Sequence, residues 1–313
     1  MTDGYYLITG GAGFIGSHFV EAILSRNDSS VIIILDNLST GKKSNIPNDP
    51  GIEFILGDIT DKVLLERLFN KYNFNYIFHL AAVSSVQDSI ENPELTHSVN
   101  FDATLSLLEK ARKLKKLKRF VYTSSAAVYG NEPRLPCSEG NPVNPISPYG
   151  VDKYASERYV LDWNNLFDVP TTVFRFFNVY GPRQNTSSPY SGVISIFAER
   201  ILNREKDVRV YGDGLQTRDF IYVKDVVDAV LCTIKLEKSR GKVYNLGTGM
   251  GVSIIELIND LEKITGRKIE IDYREERKGD IRHSYSDITA LRELGYDKEF
   301  IDILVGLKNL LKY

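Results

Sequence analysis

The sequence predicts an α/β protein built on a doubly wound, parallel β-sheet. Short apolar segments recur along the first half of the chain, and each is followed by a segment with the apolar spacing of an amphipathic helix. A glycine-rich turn joins the first apolar segment to the first helix, between Thr9 and Ser17. The small and polar residues that follow the apolar segments would lie at one edge of the sheet, because parallel strands end on the same side.

The composition of the chain limits which binding partners and which cellular compartment we expect. The net charge of −2 gives no electrostatic reason to expect a nucleic acid or an anionic membrane as partner. No apolar run approaches the ~20 residues that a membrane-spanning helix requires. Cys137 and Cys232 are the only cysteines, and the four histidines lack the spacing of metal ligands. We therefore expect no disulfide framework, no metal site and a cytoplasmic location.

The first apolar segment leads into a phosphate-binding pattern. Residues 5–8 form the predicted strand, and Gly11, Gly13 and Gly16 follow it with the spacing G-x-G-x-x-G at the head of a predicted helix. Glycines in this context allow a tight turn and the close approach of a pyrophosphate to the helix N-terminus. The alternative is a glycine-rich turn that only closes the strand.

An acidic residue at the end of the second predicted strand indicates which dinucleotide binds. Residues 31–35 form that strand and Asp36 ends it, 20 residues after Gly16 (36 − 16 = 20). A carboxylate at this distance would hold the ribose hydroxyls of adenosine and would repel a 2′-phosphate. The sequence therefore predicts NAD rather than NADP as cofactor. The alternative role of Asp36 is to cap a nearby helix.

Three further apolar segments, residues 52–56, 76–80 and 120–122, continue the alternation of strands and helices. Segments with helical apolar spacing separate them, and a long helical pattern begins at Pro93. The three strands lead into Gly57-Asp58-Ile59, Ala81-Ala82 and Thr123-Ser124-Ser125, respectively. These residues would join the glycine turn and Asp36 at the same edge of the sheet.

A tyrosine and a lysine four residues apart are the candidate catalytic pair. Tyr149 and Lys153 would lie on one face of a helix, one turn from each other. An ammonium beside a phenol favours the phenolate and lowers a pKa that is ~10 in water, which would make Tyr149 a usable base. The hydroxyl of Ser125, at the end of a strand, could share the same proton. The pair alone is a weak signal and gains weight only from the rest of the chain.

Together these segments resemble the extended short-chain dehydrogenase/reductase family and, within it, the UDP-sugar 4-epimerases. The segments that carry the resemblance are residues 10–16, 36–37, 57–59, 80–82, 124–130 and 149–153. The resemblance extends from residue 5 to about residue 295. It implies a Rossmann-type NAD-binding domain over residues 1–175, to which about residues 215–250 return, and a smaller α/β substrate-binding domain over residues 176–313.

The resemblance implies a set of residues that bind NAD. They are Gly10, Gly13, Phe14, Ile15, Gly16, Asp36, Asn37, Ser39, Thr40, Gly41, Asp58, Ile59, Leu80, Ala81, Ala82, Asn100, Thr123, Tyr149, Lys153 and Phe176. Lys153 would also orient the nicotinamide ribose, and Phe176 would lie beside the nicotinamide. NAD is regenerated in each turnover, so we expect it to stay bound. Ser84 stands where some relatives have a lysine near the cofactor phosphates, which would weaken retention slightly.

The resemblance also implies a site for a UDP-sugar. Its residues are Ser84, Ser125, Ala126, Tyr149, Asn178, Val193, Tyr211, Arg218, Arg277, Asp280 and Ser284. Asn178 would hydrogen-bond the substrate, Tyr211 would stack on the uracil, and Asp280 would accept ribose hydroxyls. Arg218 and Arg277 would bind the diphosphate through planar, bidentate contacts. Taken alone, Asn178 would be a turn residue that bonds its own backbone, and both arginines would form surface ion pairs.

Two positions bear on the reaction and on the sugar. Ala126 and Ala127 stand where relatives that dehydrate nucleotide sugars carry acidic residues, which argues against a 4,6-dehydratase. Ser284 stands where hexose-restricted relatives carry a bulky aromatic residue, so the pocket should admit a 2-acetamido group. A small side chain permits the larger substrate without requiring it, and the specificity could be dual.

The resulting prediction is an NAD-dependent epimerase that inverts C4 of a UDP-sugar through a transient 4-keto intermediate. The expected pair is UDP-N-acetylglucosamine and UDP-N-acetylgalactosamine, with UDP-glucose and UDP-galactose as a further pair. Tyr149 would take the proton of the 4-hydroxyl while a hydride leaves C4. The keto sugar would then rotate about its diphosphate link and accept the hydride on its other face.

Two alternatives stay open, and one assembly is implied. A UDP-uronic acid could be epimerised through the same intermediate, with Arg282 as the nearest candidate for binding its carboxylate. A non-catalytic protein that senses NAD could share the fold, although intact Ser125, Tyr149 and Lys153 count against it. The resemblance alone implies a homodimer through the helices that begin near Pro93 and Tyr149.

The rest of the second half predicts structural elements. Residues 225–236 have the pattern of an amphipathic helix, and residues 297–313 that of an apolar-striped helix at the end of the chain. Ser253 followed by Glu256 has the spacing of a capping box at the start of another helix.

Overall fold

The computed structural model describes residues 4–26, 29–185, 192–203, 207–276 and 281–312. Its strands, in chain order, are β1 (Gly4–Thr9), β2 (Ser30–Asp36), β3 (Ile52–Leu56), β4 (Tyr76–His79), β5 (Arg119–Ser125), β6 (Thr171–Phe176), β7 (Asn178–Tyr180), β8 (Asp207–Tyr211), β9 (Thr217–Arg218), β10 (Phe220–Tyr222), β11 (Lys242–Leu246), β12 (Val252–Ser253), β13 (Glu270–Arg274) and β14 (His283–Ser284). Within these residues seven strands pair in parallel in the order β3-β2-β1-β4-β5-β6-β11. This order is that of a Rossmann-type sheet and confirms the predicted fold class.

Helices cover both faces of this sheet. In chain order they are α1 (Phe14–Leu24), α2 (Lys62–Lys71), α3 (Val86–Glu91), α4 (Pro93–His97), α5 (Ala103–Ala111), α6 (Pro148–Phe167), α7 (Val193–Leu202), α8 (Val223–Thr233), α9 (Ile254–Thr265), α10 (Thr289–Leu294) and α11 (Ile303–Leu310). Alternate residues of β1 show the two faces: Tyr6 and Ile8 pack with α1 and α8, and Leu7 packs with α2, α5 and α6. Burial on both faces explains why the strands are continuous apolar runs.

Three smaller sheets lie outside the seven-stranded sheet. The first pairs β7 with β10, the second pairs β8 with β13, and the third contains β12, β9 and β14 in that order. A separate apolar cluster joins them to α7, α9 and α11. Strand β11 lies in the main sheet beside β6, and α8 packs against α1. The predicted division of the chain at residue 175 stays a prediction.

The prediction of a helix over residues 297–313 is wrong about its first residue, because helix α11 begins only at Ile303. The carboxylate of Asp302 accepts a hydrogen bond from the Leu304 N–H at 2.9 Å and caps the first turn. Before this cap, the Ile301 N–H donates to Asp225 at 2.7 Å, which holds the preceding segment outside a helix. The capping box of Ser253 and Glu256 is confirmed at the start of α9.

Candidate functional site

The glycine turn after β1 forms a cradle with no room for side chains. A Cβ atom on Gly16 would lie 2.2 Å from the carbonyl oxygen of Gly10, and one on Gly41 would lie 2.8 Å from the carbonyl carbon of Ala12. Gly10 has φ +70°, a conformation that favours glycine. Helix α1 begins at Phe14, and glycine at its N-cap leaves the first-turn N–H groups without a side-chain cap from that position. The residues present therefore fit the pyrophosphate of a dinucleotide.

Asp36 lies at the carboxyl end of β2 and is almost fully buried. One carboxylate oxygen accepts from the Ala12 N–H at 2.9 Å, and the other accepts from the Leu38 N–H at 2.8 Å. Asp36 thus connects the glycine turn to the turn after β2. A carboxylate has about four acceptor sites, so these two bonds leave capacity for ribose hydroxyls. That role of Asp36 stays a prediction.

The neighbouring loop after β2 is tied to the loop after β3. The Asn37 amide donates to one carboxylate oxygen of Asp58 at 2.8 Å, and Thr60 donates its N–H and hydroxyl to the other. Burial raises the pKa of Asp58, but the hydrogen bonds from Thr60 and Asn37 outweigh burial and hold that pKa below its ordinary value. Ser39, whose N–H donates to Asn37, is exposed and follows directly. The predicted residues Thr40 and Ile59 lie in the same two loops.

Behind the cofactor loops lies a buried histidine that sequence reasoning missed. His79 ends β4 and bridges the hydroxyls of Thr9 and Thr104 at 2.8 and 2.9 Å. Burial lowers the pKa of His79 to about 3, so the imidazole is neutral. The Thr9 hydroxyl in turn accepts from the N–H groups of Leu80 and Ala81, both at 3.2 Å. His79 therefore supports the turn that follows β4.

Asn100 is brought to that turn through its side chain. Its amide oxygen accepts from the Val83 N–H at 2.8 Å, and its amide nitrogen donates to the Val83 carbonyl at 3.0 Å. Asn100 lies in a π-helical turn, Ser98–Asp102, between α4 and α5. Both of these side-chain bonds go to Val83 in the loop after Ala82, and direct contact of Asn100 with a cofactor stays a prediction.

The structure brings the three predicted catalytic residues together. Helix α6 begins at Pro148, where the Ser147 hydroxyl accepts from the Gly150 N–H at 3.2 Å, and carries Tyr149 and Lys153. The Lys153 ammonium donates to the Thr123 carbonyl at 2.8 Å and lies 6.0 Å from the Tyr149 ring centroid. Ser125 ends β5, and its hydroxyl lowers the pKa of the Tyr149 phenol, which places the two groups near each other.

The prediction that the Lys153 ammonium lowers the pKa of the Tyr149 phenol is wrong for the protein without cofactor. Burial raises the pKa of the Tyr149 phenol, and the hydrogen bond from Ser125 offsets only part of that effect. Burial also lowers the pKa of Lys153 to about 7, against the opposing influence of Asp152. Both shifts arise because removal from water disfavours the charged form of each group. The phenolate therefore needs a further positive charge, and an oxidised nicotinamide ring is such a charge.

A buried ion pair supports the catalytic helix and was also missed. Glu157, one helical turn beyond Lys153, accepts from the Ser124 hydroxyl at 2.7 Å and from Arg175 at 3.0 and 2.5 Å. The Arg175 guanidinium also donates to the Tyr129 hydroxyl at 2.9 Å. The network joins α6 to β5 and β6 directly beneath Ser125. The spacing of four residues places Glu157 on the same face of α6 as Lys153, but it does not indicate Arg175 as its partner.

The predicted substrate residues that the structure describes lie mainly on short strands and loops outside the seven-stranded sheet. Phe176 ends β6 and is the register partner of Ser125, and Ala126 begins the turn after Ser125. Arg218 on β9 is the register partner of Ser284 on β14. Four further residues of the predicted set lie apart from these: Ser84 after β4, Asn178 at the start of β7, Val193 at the start of α7 and Tyr211 at the end of β8. Arg277 and Asp280 lie outside the described residues.

Comparison with known proteins places this site in a family. The model of the NAD dependent epimerase/dehydratase family matches residues 6–247. A putative UDP-glucose 4-epimerase of Methanocaldococcus jannaschii is 39% identical over 307 residues, which cover 98% of this chain and 97% of the relative.

Two solved structures are similar over almost their full length. A UDP-N-acetylglucosamine 4-epimerase from Methanobrevibacter ruminantium, in complex with UDP-N-acetylmuramic acid, has a TM-score of 0.93 and 35% identity, covering 100% of this chain and 98% of that one. A UDP-glucose 4-epimerase from Thermotoga maritima, with UDP-glucose, has a TM-score of 0.93 and 38% identity, covering 99% and 98%. The chain therefore belongs to the NAD dependent epimerase/dehydratase family and, within it, to the UDP-sugar 4-epimerases, which are NAD-dependent isomerases.

Proposed function

We propose that this UDP-sugar 4-epimerase interconverts UDP-N-acetylglucosamine and UDP-N-acetylgalactosamine, and that it also accepts UDP-glucose and UDP-galactose. The observation that carries the proposal is the small side chain of Ser284, which is only partly buried and stands beside Arg218 on the next strand. Relatives that are restricted to hexoses carry a bulky aromatic residue at this position, and the hydroxymethyl group of serine is much smaller. The smaller side chain supports the proposal that a 2-acetamido group is admitted.

The arrangement supports proton transfer at the sugar 4-oxygen. Bound NAD supplies the acceptor and later the donor of the hydride at C4. Tyr149 takes the proton of the 4-hydroxyl and returns it, and Ser125 donates to the same oxygen. Lys153 is held by the Thr123 carbonyl at 2.8 Å, which fixes its ammonium beside the Tyr149 ring. Ala126 and Ala127 follow Ser125, so the two positions after the catalytic hydroxyl carry no acid that could expel a leaving group.

The nucleotide must be held while the sugar turns to present its other face. Arg218 and Tyr211 are the described residues proposed to hold it, and Arg277 is proposed for the same task. We also propose that NAD stays bound between turnovers, because each cycle regenerates it.

The ion pair formed by Arg282 counts against a UDP-uronic acid as the substrate. Its guanidinium forms a bidentate ion pair with Asp213, with both N···O distances at 2.7 Å. The ion pair holds the pKa of Asp213 at about 2, below its ordinary range. Both side chains are about half exposed, with 45% and 52% of their surfaces accessible, so Arg282 is already engaged at the surface. A substrate carboxylate would have to compete with Asp213 for it.

Ser284→Tyr tests the proposed specificity. We expect kcat/KM for UDP-N-acetylglucosamine to fall by at least about tenfold, because the added ring occupies the space of the acetamido group. Turnover of UDP-glucose should change much less. The measurement is chromatographic separation of the 4-epimers formed from each sugar. Ser284→Ala is the matched control, since it keeps the pocket open and should keep the acetamido activity. An equal loss with both sugars would contradict the proposal.

We propose a homodimer that buries the face formed by α3, α4 and α6. Ile90, Leu95 and Val151 on this face are 55%, 59% and 50% exposed, a large accessible fraction for aliphatic side chains on neighbouring helices. A groove of about 540 Å³ runs between Pro93 and Pro148 on the same face. Sedimentation equilibrium should give twice the chain mass, and Leu95→Glu should shift the protein toward monomer. A wild-type monomer at micromolar concentration would refute this assembly.

A further inference from the structure

Asp219, between β9 and β10, is fully buried and accepts more hydrogen bonds than a turn residue needs. One carboxylate oxygen accepts from the N–H and the hydroxyl of Thr248, both at 2.7 Å. The other accepts from the Gly249 N–H at 3.0 Å, the Ser286 N–H at 3.1 Å and the Ser286 hydroxyl at 2.6 Å. Five donors thus converge on one carboxylate, which satisfies the charge without a cation among these contacts.

The bonds of Asp219 connect three separate parts of the chain. Thr248 and Gly249 form the turn after β11, the last strand of the main sheet. Ser286 lies two residues after Ser284, the position that borders the sugar. The backbone carbonyl of Asp219 accepts from the Asn178 N–H at 2.9 Å and from the Asn178 side-chain amide at 3.3 Å. Arg218 precedes Asp219 directly.

The surroundings of Asp219 leave little freedom. A Cβ atom on Gly247 would lie 2.4 Å from the carboxylate oxygen of Asp219 and 2.5 Å from the Ser286 hydroxyl oxygen. Any side chain at position 247 would therefore displace the carboxylate or Ser286. Ser286 is itself buried. Its backbone forms an isolated parallel β-bridge with Cys137, which lies in the loop that follows Tyr129.

We propose that Asp219 is a positioning residue that sets the distance between the diphosphate-binding Arg218 and the sugar-facing Ser284. It does so by fastening the strands that carry them to the turn after β11 and to Asn178. The proposal rests on the proposed function for the roles of Arg218 and Ser284. Asp219 itself touches neither the substrate nor the reacting atoms.

Asp219→Asn is the most informative single substitution. It keeps the shape of the side chain and replaces one acceptor oxygen by an amide NH₂ group. In either orientation of the amide, that group faces a backbone N–H: Thr248 on one side, Gly249 and Ser286 on the other. Two donors then face each other and one strand must move. We expect the affinity for UDP, measured by calorimetry, to fall at least about tenfold, with KM raised more than kcat is lowered. The NAD content of the purified protein should stay as in wild type.

Asp225→Asn is the matched control. Asp225 is also a buried aspartate and lies six residues further on, in α8, but its carboxylate accepts a single backbone N–H, from Ile301 at 2.7 Å. An amide oxygen can accept that bond, so UDP affinity should be unchanged. Equal UDP affinity in Asp219→Asn, Asp225→Asn and wild type would overturn the proposal.

Two hydroxyl deletions separate positioning from general loss of stability. Ser286→Ala and Thr248→Val each remove one hydroxyl bond to Asp219, together with the bond that the same hydroxyl accepts from the Gly249 or Met250 N–H, and leave the backbone N–H bonds to Asp219 in place. Ser286 lies two residues from Ser284. Ser286→Ala should therefore change the ratio of kcat/KM between UDP-N-acetylglucosamine and UDP-glucose by several-fold. Thr248→Val should leave that ratio unchanged. An unchanged ratio in both variants would contradict the proposal even if Asp219→Asn failed to fold.

The outcome also separates this inference from the proposed function. If wild type converted neither sugar but Asp219→Asn still weakened UDP binding, the proposed function would fail and the positioning of the nucleotide site would stand. If wild type epimerised UDP-N-acetylglucosamine and Asp219→Asn bound UDP as wild type does, only the inference would fail.

Discussion

Replacing Tyr149 with phenylalanine is expected to lower kcat by about 10²–10⁴-fold, the usual contribution of a positioned general base. The phenyl ring keeps the packing at the start of α6, where Tyr149 is only 9% exposed, so the fold should be kept. The variant loses the phenol hydroxyl, which is the group proposed to move the proton of the 4-hydroxyl. The measurement is the initial rate of 4-epimer formation, with the NAD content of the same sample determined in parallel.

Tyr159→Phe is the control for this variant. Tyr159 lies on the same helix, is 39% exposed and stacks on Trp163, a contact that phenylalanine preserves. It should therefore retain wild-type kcat. A Tyr149→Phe enzyme within about tenfold of wild type would assign the proton transfer to another group, and Ser125 would then be the residue to change next.

The second large effect is expected on stability, from Glu157→Gln. The side chains of Glu157 and Arg175 are only 1% and 4% exposed, and removal of one partner leaves the other charge buried without its counter-ion. Loss of one partner of a buried ion pair costs about 3–5 kcal/mol, so the free energy of unfolding should fall by that amount. Equilibrium denaturation with urea measures it.

The double variant Glu157→Leu with Arg175→Met distinguishes a lost charge from lost packing. Removing both charges should restore much of the stability, because an apolar pair of similar volume carries no desolvation cost. The double variant should still be less active than wild type, since Ser124 loses its acceptor next to Ser125. A double variant less stable than Glu157→Gln would contradict this account of the pair.

The local parts of the fold and the site follow from the sequence. The glycine turn, Asp36 and the pair of Tyr149 and Lys153 are defined by short spacings, and the structure places each at the carboxyl edge of the sheet. The parallel pairing of the strands follows from their alternation with crossover helices, whereas the position of β11 beside β6 does not follow from this alternation. Position in a regular element is sufficient to predict these features.

Features that depend on partners far apart in the chain could not be predicted. Asp219 bonds residues 29 and 67 positions away, and no periodicity links them. Arg175 and Glu157 meet only because β6 lies beside β5 under α6. The pKa of Tyr149 was predicted in the wrong direction because burial is a tertiary property, and the spacing of Tyr149 and Lys153 reports only their proximity.

The most direct test of the central claim is incubation of the purified protein with UDP-N-acetylglucosamine, without added reductant, followed by chromatographic separation of the nucleotide sugars. The account predicts that UDP-N-acetylgalactosamine forms and that Tyr149→Phe slows its formation by about 10²–10⁴-fold. Conversion of UDP-glucose alone would keep the mechanism and contradict the role of Ser284. Conversion of neither sugar by protein that retains NAD would contradict the proposed function itself.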